Sequence, residues 1–161
     1  MGVKELLDSL NKALVEQDMR NLDGVKAVTA NTTLTKDDSG KLITISKADG
    51  ATITLPSAEA GLRFVFLVIT SVTSNAYAIA TAATDELFAG GPVTVVAAGG
   101  NSGVFPADRS NDDTFSMNGS TTGGLAGTLI EMKCVEETDG TLWWLVTGVN
   151  AGSGTIATSF A

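Results

Sequence analysis

Histidine is absent from the 161-residue chain, which therefore lacks the side chain on which most enzymes rely near neutral pH. Imidazole is the usual general base, the usual partner of a nucleophilic serine or cysteine, and the commonest ligand of transition metals. Carboxylate pairs alone can still cleave glycosidic bonds, so a glycan-cleaving enzyme stays open as a minor alternative. The composition predicts a protein that is not an enzyme and that holds no cofactor.

Cysteine is nearly absent as well, because Cys134 is the only one. A single thiol excludes an intrachain disulfide and a zinc site built from several thiolates. Cys134 precedes Val135 in an apolar, strand-like run. We therefore predict a buried and unreactive thiol.

Positive charge is scarce: 10 basic residues face 18 acidic ones, and the formal net charge is -8. Such a chain repels phosphate backbones and anionic membranes. We therefore predict no nucleic acid and no membrane partner. The acidity suits a protein that must stay soluble before assembly, or one that meets a basic patch on a protein partner.

Long hydrophobic runs are missing too. The longest, Phe64–Thr70, is too short to cross a bilayer and indicates a buried strand. The first residues, Met1–Glu5, lead into acidic and amide side chains rather than into an apolar run, so we expect no signal peptide and synthesis in a cytoplasm.

The N-terminal segment, residues 1–23, carries a leucine-rich helical pattern. Its apolar positions are spaced four, three and four apart, and they are Val3, Leu7, Leu10 and Leu14, with Leu6 beside them. This spacing predicts an amphipathic helix of about four turns, ended by Gly24. A helix this short is marginal alone. Its apolar face should pack either on an open end of its own sheet or against a partner subunit or sister copy.

From Val25 onward, short runs rich in Thr, Val and Ile alternate with Gly, Asn, Asp and Ser, which is typical of an all-β domain. Strands are predicted near 26–34, 41–47, 51–55, 62–72, 76–82, 92–98, 113–117, 127–136 and 141–148. We expect residues 24–150 to form an antiparallel, jelly-roll-like sandwich or barrel. In Ala51–Leu55, Ile53 and Leu55 share one face, which indicates a half-buried antiparallel strand. No internal repeat is evident.

Two segments stand out as candidates for contacts outside the strands. Residues 90–127 are rich in Gly, Ala, Ser and Asn and predict long surface loops, with 99–126 as the part where binding specificity would lie. Residues 151–161 are small and polar, so we expect a flexible tail or an arm that orders on a neighbour, with Phe160 as a contact residue.

Motifs for chemistry fail on their spacing. Thr122–Thr128 is glycine-rich but has no lysine after its last glycine and no helical pattern behind it, so it predicts a connecting loop rather than a phosphate loop. Asp37-Asp38 and Asp112-Asp113 lack the alternating acids of a calcium loop and are ordinary turn formers.

Trp143 and Trp144 are consecutive in a predicted strand, so one indole should enter the core and the other should reach the opposite face. An outward indole could anchor a partner or serve as a carbohydrate platform. If both faces are covered, the second indole is simply more core.

Several segments together resemble a module that recurs in virion proteins of tailed bacteriophages. They are Thr33–Ile43, Ala51–Pro56, Ala60–Phe66, Gly127–Ile130 and Asp139–Trp144. Their form is a threonine-rich strand, an acidic Ser-Gly turn, a strand ending in Leu-Pro, an Ala-Gly-Leu aromatic strand and a closing hairpin. The resemblance covers residues 27–148 and implies a β-rich, often trimeric, non-enzymatic protein. It carries over no functional residues, because the motif is architectural.

One compact domain with a short helix favours a capsid decoration (cement) protein over a long fibre. The expectation is a homotrimer that binds the major capsid protein on the virion surface after synthesis in the host cytoplasm. The alternative is a head-fibre, tail-fibre or spike module that binds a host glycan. The predicted interface residues are Val3, Leu6, Leu7, Leu10, Leu14, Trp143, Trp144 and Phe160.

Overall fold

The structure is a computed structural model that describes residues 2–9, 24–96 and 101–161. The described part contains a helix over residues 3–9, a 3₁₀ turn at Lys36–Asp38 and thirteen β-strands. The strands are β1 (Val25–Val28), β2 (Thr32–Thr33), β3 (Leu42–Ile45), β4 (Ala51–Thr54), β5 (Arg63–Val68), β6 (Tyr77–Ala80), β7 (Phe88–Gly90), β8 (Val93–Val96), β9 (Gly103–Val104), β10 (Ala107–Asp108), β11 (Thr114–Met117), β12 (Leu129–Glu136) and β13 (Leu142–Gly152).

The strands form two sheets. The nine-stranded sheet has the order β1-β3-β5-β12-β13-β7-β10, and β8 pairs with the later half of β13 and carries β9 on its other side. The four-stranded sheet has the order β11-β6-β4-β2. Side chains from both sheets form one apolar cluster, so the molecule is a β-sandwich.

The first six strands wind as coils. They alternate between the two sheets, and β1, β3 and β5 pair in parallel in one sheet while β2, β4 and β6 pair in parallel in the other. Equivalent positions therefore stack from coil to coil, as Ile43 does on Phe66 and Ile53 on Ile79. This half of the domain is a three-coil parallel β-solenoid, whose coils bury their inward rows on one another.

The second half closes the larger sheet. β12 pairs antiparallel with both β5 and β13, while β13 pairs in parallel with β7 and β8. Aromatic side chains fill the space between the sheets, and the Phe64 and Trp144 rings lie 6.0 Å apart between their centroids. The largest fully buried side chains include Trp144, Tyr77, Phe64, Phe66, Phe88 and Phe115.

The predicted β-rich sandwich with a short N-terminal helix is confirmed, but its pairing is mixed rather than antiparallel, and the jelly-roll form is not confirmed. Ile53 is buried and Thr52 exposed, as expected, yet β4 pairs in parallel with both neighbours. Side-chain alternation reports which face is buried, not the direction of the adjacent strands.

Two further expectations differ from the structure. The predicted strand at 26–34 is broken by a bend at residues 29–30, and its two parts enter different sheets as β1 and β2. The coils also constitute a structural repeat that the sequence did not reveal. Their spacing is uneven, since Val25 pairs with Leu42 and Leu42 with Val65, and a repeat of variable length leaves no fixed period.

Candidate interaction surfaces

The helix at residues 3–9 presents its apolar side chains to solvent. Val3 is 77% exposed, Leu6 50% and Leu7 59%, so the structure leaves this face uncovered. Leu6 donates its backbone N–H to the carbonyl of Gly2, closing the first turn. Leu10 and Leu14, the later members of the predicted seam, lie outside the described residues. We call Val3, Leu6 and Leu7 the helix seam.

The tryptophan pair divides between the two faces of the sheet, as the alternation predicted. Trp144 is fully buried against Phe64 in the core, which corrects its assignment as a partner-contact residue. The correction follows from the strand period, because one of two neighbours must face the second sheet.

Trp143 is half-buried on the outer face, beside a cleft of about 270 Å³. The Arg109 guanidinium lies 5.1 Å from the indole centroid and forms an ion pair with Glu137. Asp85 and Asp108 also line the cleft. An indole, a guanidinium and carboxylates together can bind a polar ligand with a flat apolar face, although Arg109 already stacks on the indole.

The segment 151–161, expected to be a flexible tail or an arm for a neighbour, packs on its own domain. β13 continues through Gly152, and Phe160 is only 8% exposed. The Phe160 ring lies 5.1 Å from that of Phe115 and 6.0 Å from that of Phe88. Phe160 is therefore a core residue rather than a partner contact.

Backbone hydrogen bonds fix this terminal segment along β11. The N–H of Thr114 donates to the carbonyl of Ala161 and the N–H of Ala161 donates back, while the N–H of Ser116 donates to the carbonyl of Ser159 at 2.6 Å. The small, polar composition of residues 151–161 did not predict this packing, because backbone pairing needs no apolar side chains and a single aromatic residue provides the anchor.

Part of the loop region 99–126, predicted to carry binding specificity, is held in place by a buried side chain. Asn150 is fully buried, and its side-chain amide donates to the carbonyl of Thr122 while its oxygen accepts the N–H of Gly124. Gly123 has a φ of +82°, and a Cβ there would collide with the Asn150 side chain. The turn at 118–124 is therefore a rigid closure of the sandwich, not a free loop.

Two titratable groups are buried for structural reasons. Burial tends to raise the pKa of Asp38, but hydrogen bonds from Lys26, Lys41 and the backbone N–H of Thr35 outweigh it and hold that pKa well below its usual range. The predicted burial of Cys134 is confirmed, and burial raises the pKa of its thiol, which disfavours the reactive thiolate.

A further exposed apolar surface was not predicted. It crosses the outer face of the nine-stranded sheet, where five paired side chains from five adjacent strands lie side by side. In strand order they are Leu67, Leu129, Val149, Val93 and Val104. The last four are 43 to 52% exposed, and Leu67 is half-buried. We call these five residues the outer row. Its members are far apart in sequence, so only strand register could reveal it.

Within residues 2–9, 24–96 and 101–161, no three His, Cys, Asp or Glu side chains are grouped so that they could hold a metal ion. No helix in the same ranges is long and apolar enough to cross a membrane. Comparison with protein-family models, with curated proteins and with solved structures gave no match. The likeness to phage virion modules therefore rests on the sequence segments alone.

Proposed function

We propose that this chain is a capsid decoration protein that binds the major capsid protein on the outside of a tailed-phage head as a homotrimer and stabilises the shell. The helix seam carries the proposal. It places three side chains that are at least 50% exposed ahead of a domain that closes its own core. Apolar side chains left outside a complete core are typical of residues that another protein covers.

Weak contacts are sufficient for such a role. A copy that touches the shell at several points, among many identical copies, gains effective affinity without a single strong site. The net charge of -8 keeps free copies soluble before they bind. The phage-module resemblance over residues 27–148 agrees with this role.

Cosedimentation with undecorated capsids of the encoding phage tests the proposal. Leu7→Glu places a charge in the helix seam, and we expect capsid affinity to fall by about tenfold or more, since a buried leucine contributes roughly 1.5–3 kcal/mol. Ser9→Glu adds the same charge at another exposed position of the helix and should bind like the wild type. A wild-type protein that stays in the supernatant would refute the proposal.

The cleft beside Trp143 supports a second candidate, a fibre or spike module that binds a host glycan. Here Trp143→Ala should abolish a glycan-array signal, because a sugar that displaces the Arg109 guanidinium would stack on the indole ring. The domain should stay folded, because Trp143 is only half-buried. Trp144→Ala is unsuitable as a companion variant, because that residue is in the core. A wild-type array without signal would remove this candidate.

A further inference from the structure

We infer that copies of this chain associate through the outer row, with the rows of three copies meeting along a three-fold axis. The three-fold part rests on the proposed function, in which the protein acts as a trimer. The choice of surface stands on the structure by itself. The occupant of the row is thus a second and a third copy of the same chain.

Charge favours this surface for self-association. Copies with a net charge of -8 repel one another on average, so close approach costs least where charge is absent. All five positions of the outer row are Leu or Val. Ion-paired charges begin two residues further along β12, where Glu131 contacts Arg63 and Lys133.

Unlike the side that carries Glu131, the opposite side of the row is free of charge at its nearest positions. Two residues further along their strands lie Ile69, which is 52% exposed, and the paired residues Ala151 and Val95. The uncharged surface is therefore wider than the row itself, and the charged residues border it on one side. An apolar centre with a polar border is the usual anatomy of a protein interface.

The row by itself is too small for a stable interface, so its flanks must take part in the contact. It runs across five strands spaced about 4.8 Å apart, so it is about 19 Å long and little more than one side chain wide. A narrow row exposes only a few hundred Å², less than the roughly 800 Å² per partner of a stable two-body interface. In the three-fold arrangement of the proposed function, each row meets two neighbours, and the uncharged flank of the row adds further contact area.

Light scattering on the 161-residue chain tests the inference. Val149→Lys and Leu129→Lys each place a charge at the middle of the outer row, and we expect the trimer to shift to monomer at concentrations where the wild type is assembled. Val25→Lys is the matched control, because Val25 is a 66% exposed valine in β1, at the far edge of the same sheet. It should remain a trimer. Thermal unfolding of each variant verifies that the domain stays folded.

A cysteine variant gives a second readout that does not depend on destabilising the interface. Cys134 is buried, so the wild type should form no intermolecular disulfide under mild oxidation. Val149→Cys should form covalent dimers between neighbouring copies, with two thiols oxidised to one disulfide by an added oxidant such as oxidised glutathione. Val25→Cys should form few.

The outcomes separate this inference from the proposed function. A monomeric wild type, or lysine variants that assemble as well as the wild type, would overturn the outer row as the interface even if the protein binds capsids. A trimer that Val149→Lys disrupts, but that ignores capsids, would support the row and contradict the decoration role.

Discussion

Asp38 shows at the scale of a single residue how this acidic protein uses one of its carboxylates for stability. The residue is 4% exposed, and its two oxygens contact the ammonium groups of Lys26 at 2.5 Å and Lys41 at 2.9 Å. The same side chain accepts the N–H of Thr35 and closes the 3₁₀ turn. One carboxylate therefore joins β1, the turn and the residue just before β3.

The lowered pKa of Asp38 makes stability depend on acid pH. A carboxyl whose pKa is lower in the folded state stabilises the fold fully above its ordinary value of 3.8, and this contribution is lost as the pH falls below that value. We expect Asp38→Asn to cost about 1 to 2 kcal/mol at pH 7, since both lysines remain partly exposed. Urea titrations at pH 7 and pH 3 should show a smaller pH dependence in the variant.

Asp37→Asn is the control for this prediction, because it removes a neighbouring charge that is exposed. Its free energy of unfolding should stay within about 0.5 kcal/mol of the wild-type value. Equal losses in the two variants would mean that general charge, rather than the buried ion pairs, produces the effect.

At this scale, sequence reasoning succeeded where a residue's role follows from its immediate neighbours. The period of a strand was enough to divide Trp143 from Trp144, and the apolar run around Cys134 was enough to predict its burial. It could not place Phe160, whose partners Phe88 and Phe115 belong to distant strands. The sequence indicated Asp38 only as a turn former, and it could not predict the ion pair of Asp38 with Lys26 in β1.

At the scale of elements, the terminal segment behaves as an additional strand of the smaller sheet. It follows β11, and Phe160 forms a bridge with Phe115. Hydrophobicity alone had indicated a flexible tail or an arm that orders on a neighbour, because a segment with one aromatic residue has too little apolar surface to predict burial. By contrast, β12 and β13 were predicted as strands at 127–136 and 141–148, although β13 continues to Gly152.

Phe160→Ala tests whether this segment supports the fold. Removing a buried ring between two aromatic neighbours should lower the free energy of unfolding by about 3 kcal/mol. Chemical denaturation measures the loss, and Thr155→Ala, at an exposed position of the same segment, should change stability little. If Phe160→Ala left the free energy of unfolding unchanged, the segment would contribute nothing to the fold, as expected of a loose arm.

At the scale of the whole molecule, composition and turn spacing predicted a β-sandwich, but not its winding. Parallel coils and antiparallel closure contain the same kinds of strand, and what distinguishes them is which strands are neighbours. The outer row likewise depends on which strands are neighbours. Leu67 and Val149 lie in one row because each is paired with Leu129 of β12.

The winding also determines the order in which the molecule can be built during synthesis. The second and third coils each pair in parallel with the coil made just before them, so this half can stack progressively as the chain emerges. β5 must then wait for β12, which is made much later, and pairing across such a sequence distance is slow. Until β12 has been made, β5 is an unpaired edge strand of the growing nine-stranded sheet. A nascent chain that stops at this stage would expose that edge to unwanted strand pairing with other chains.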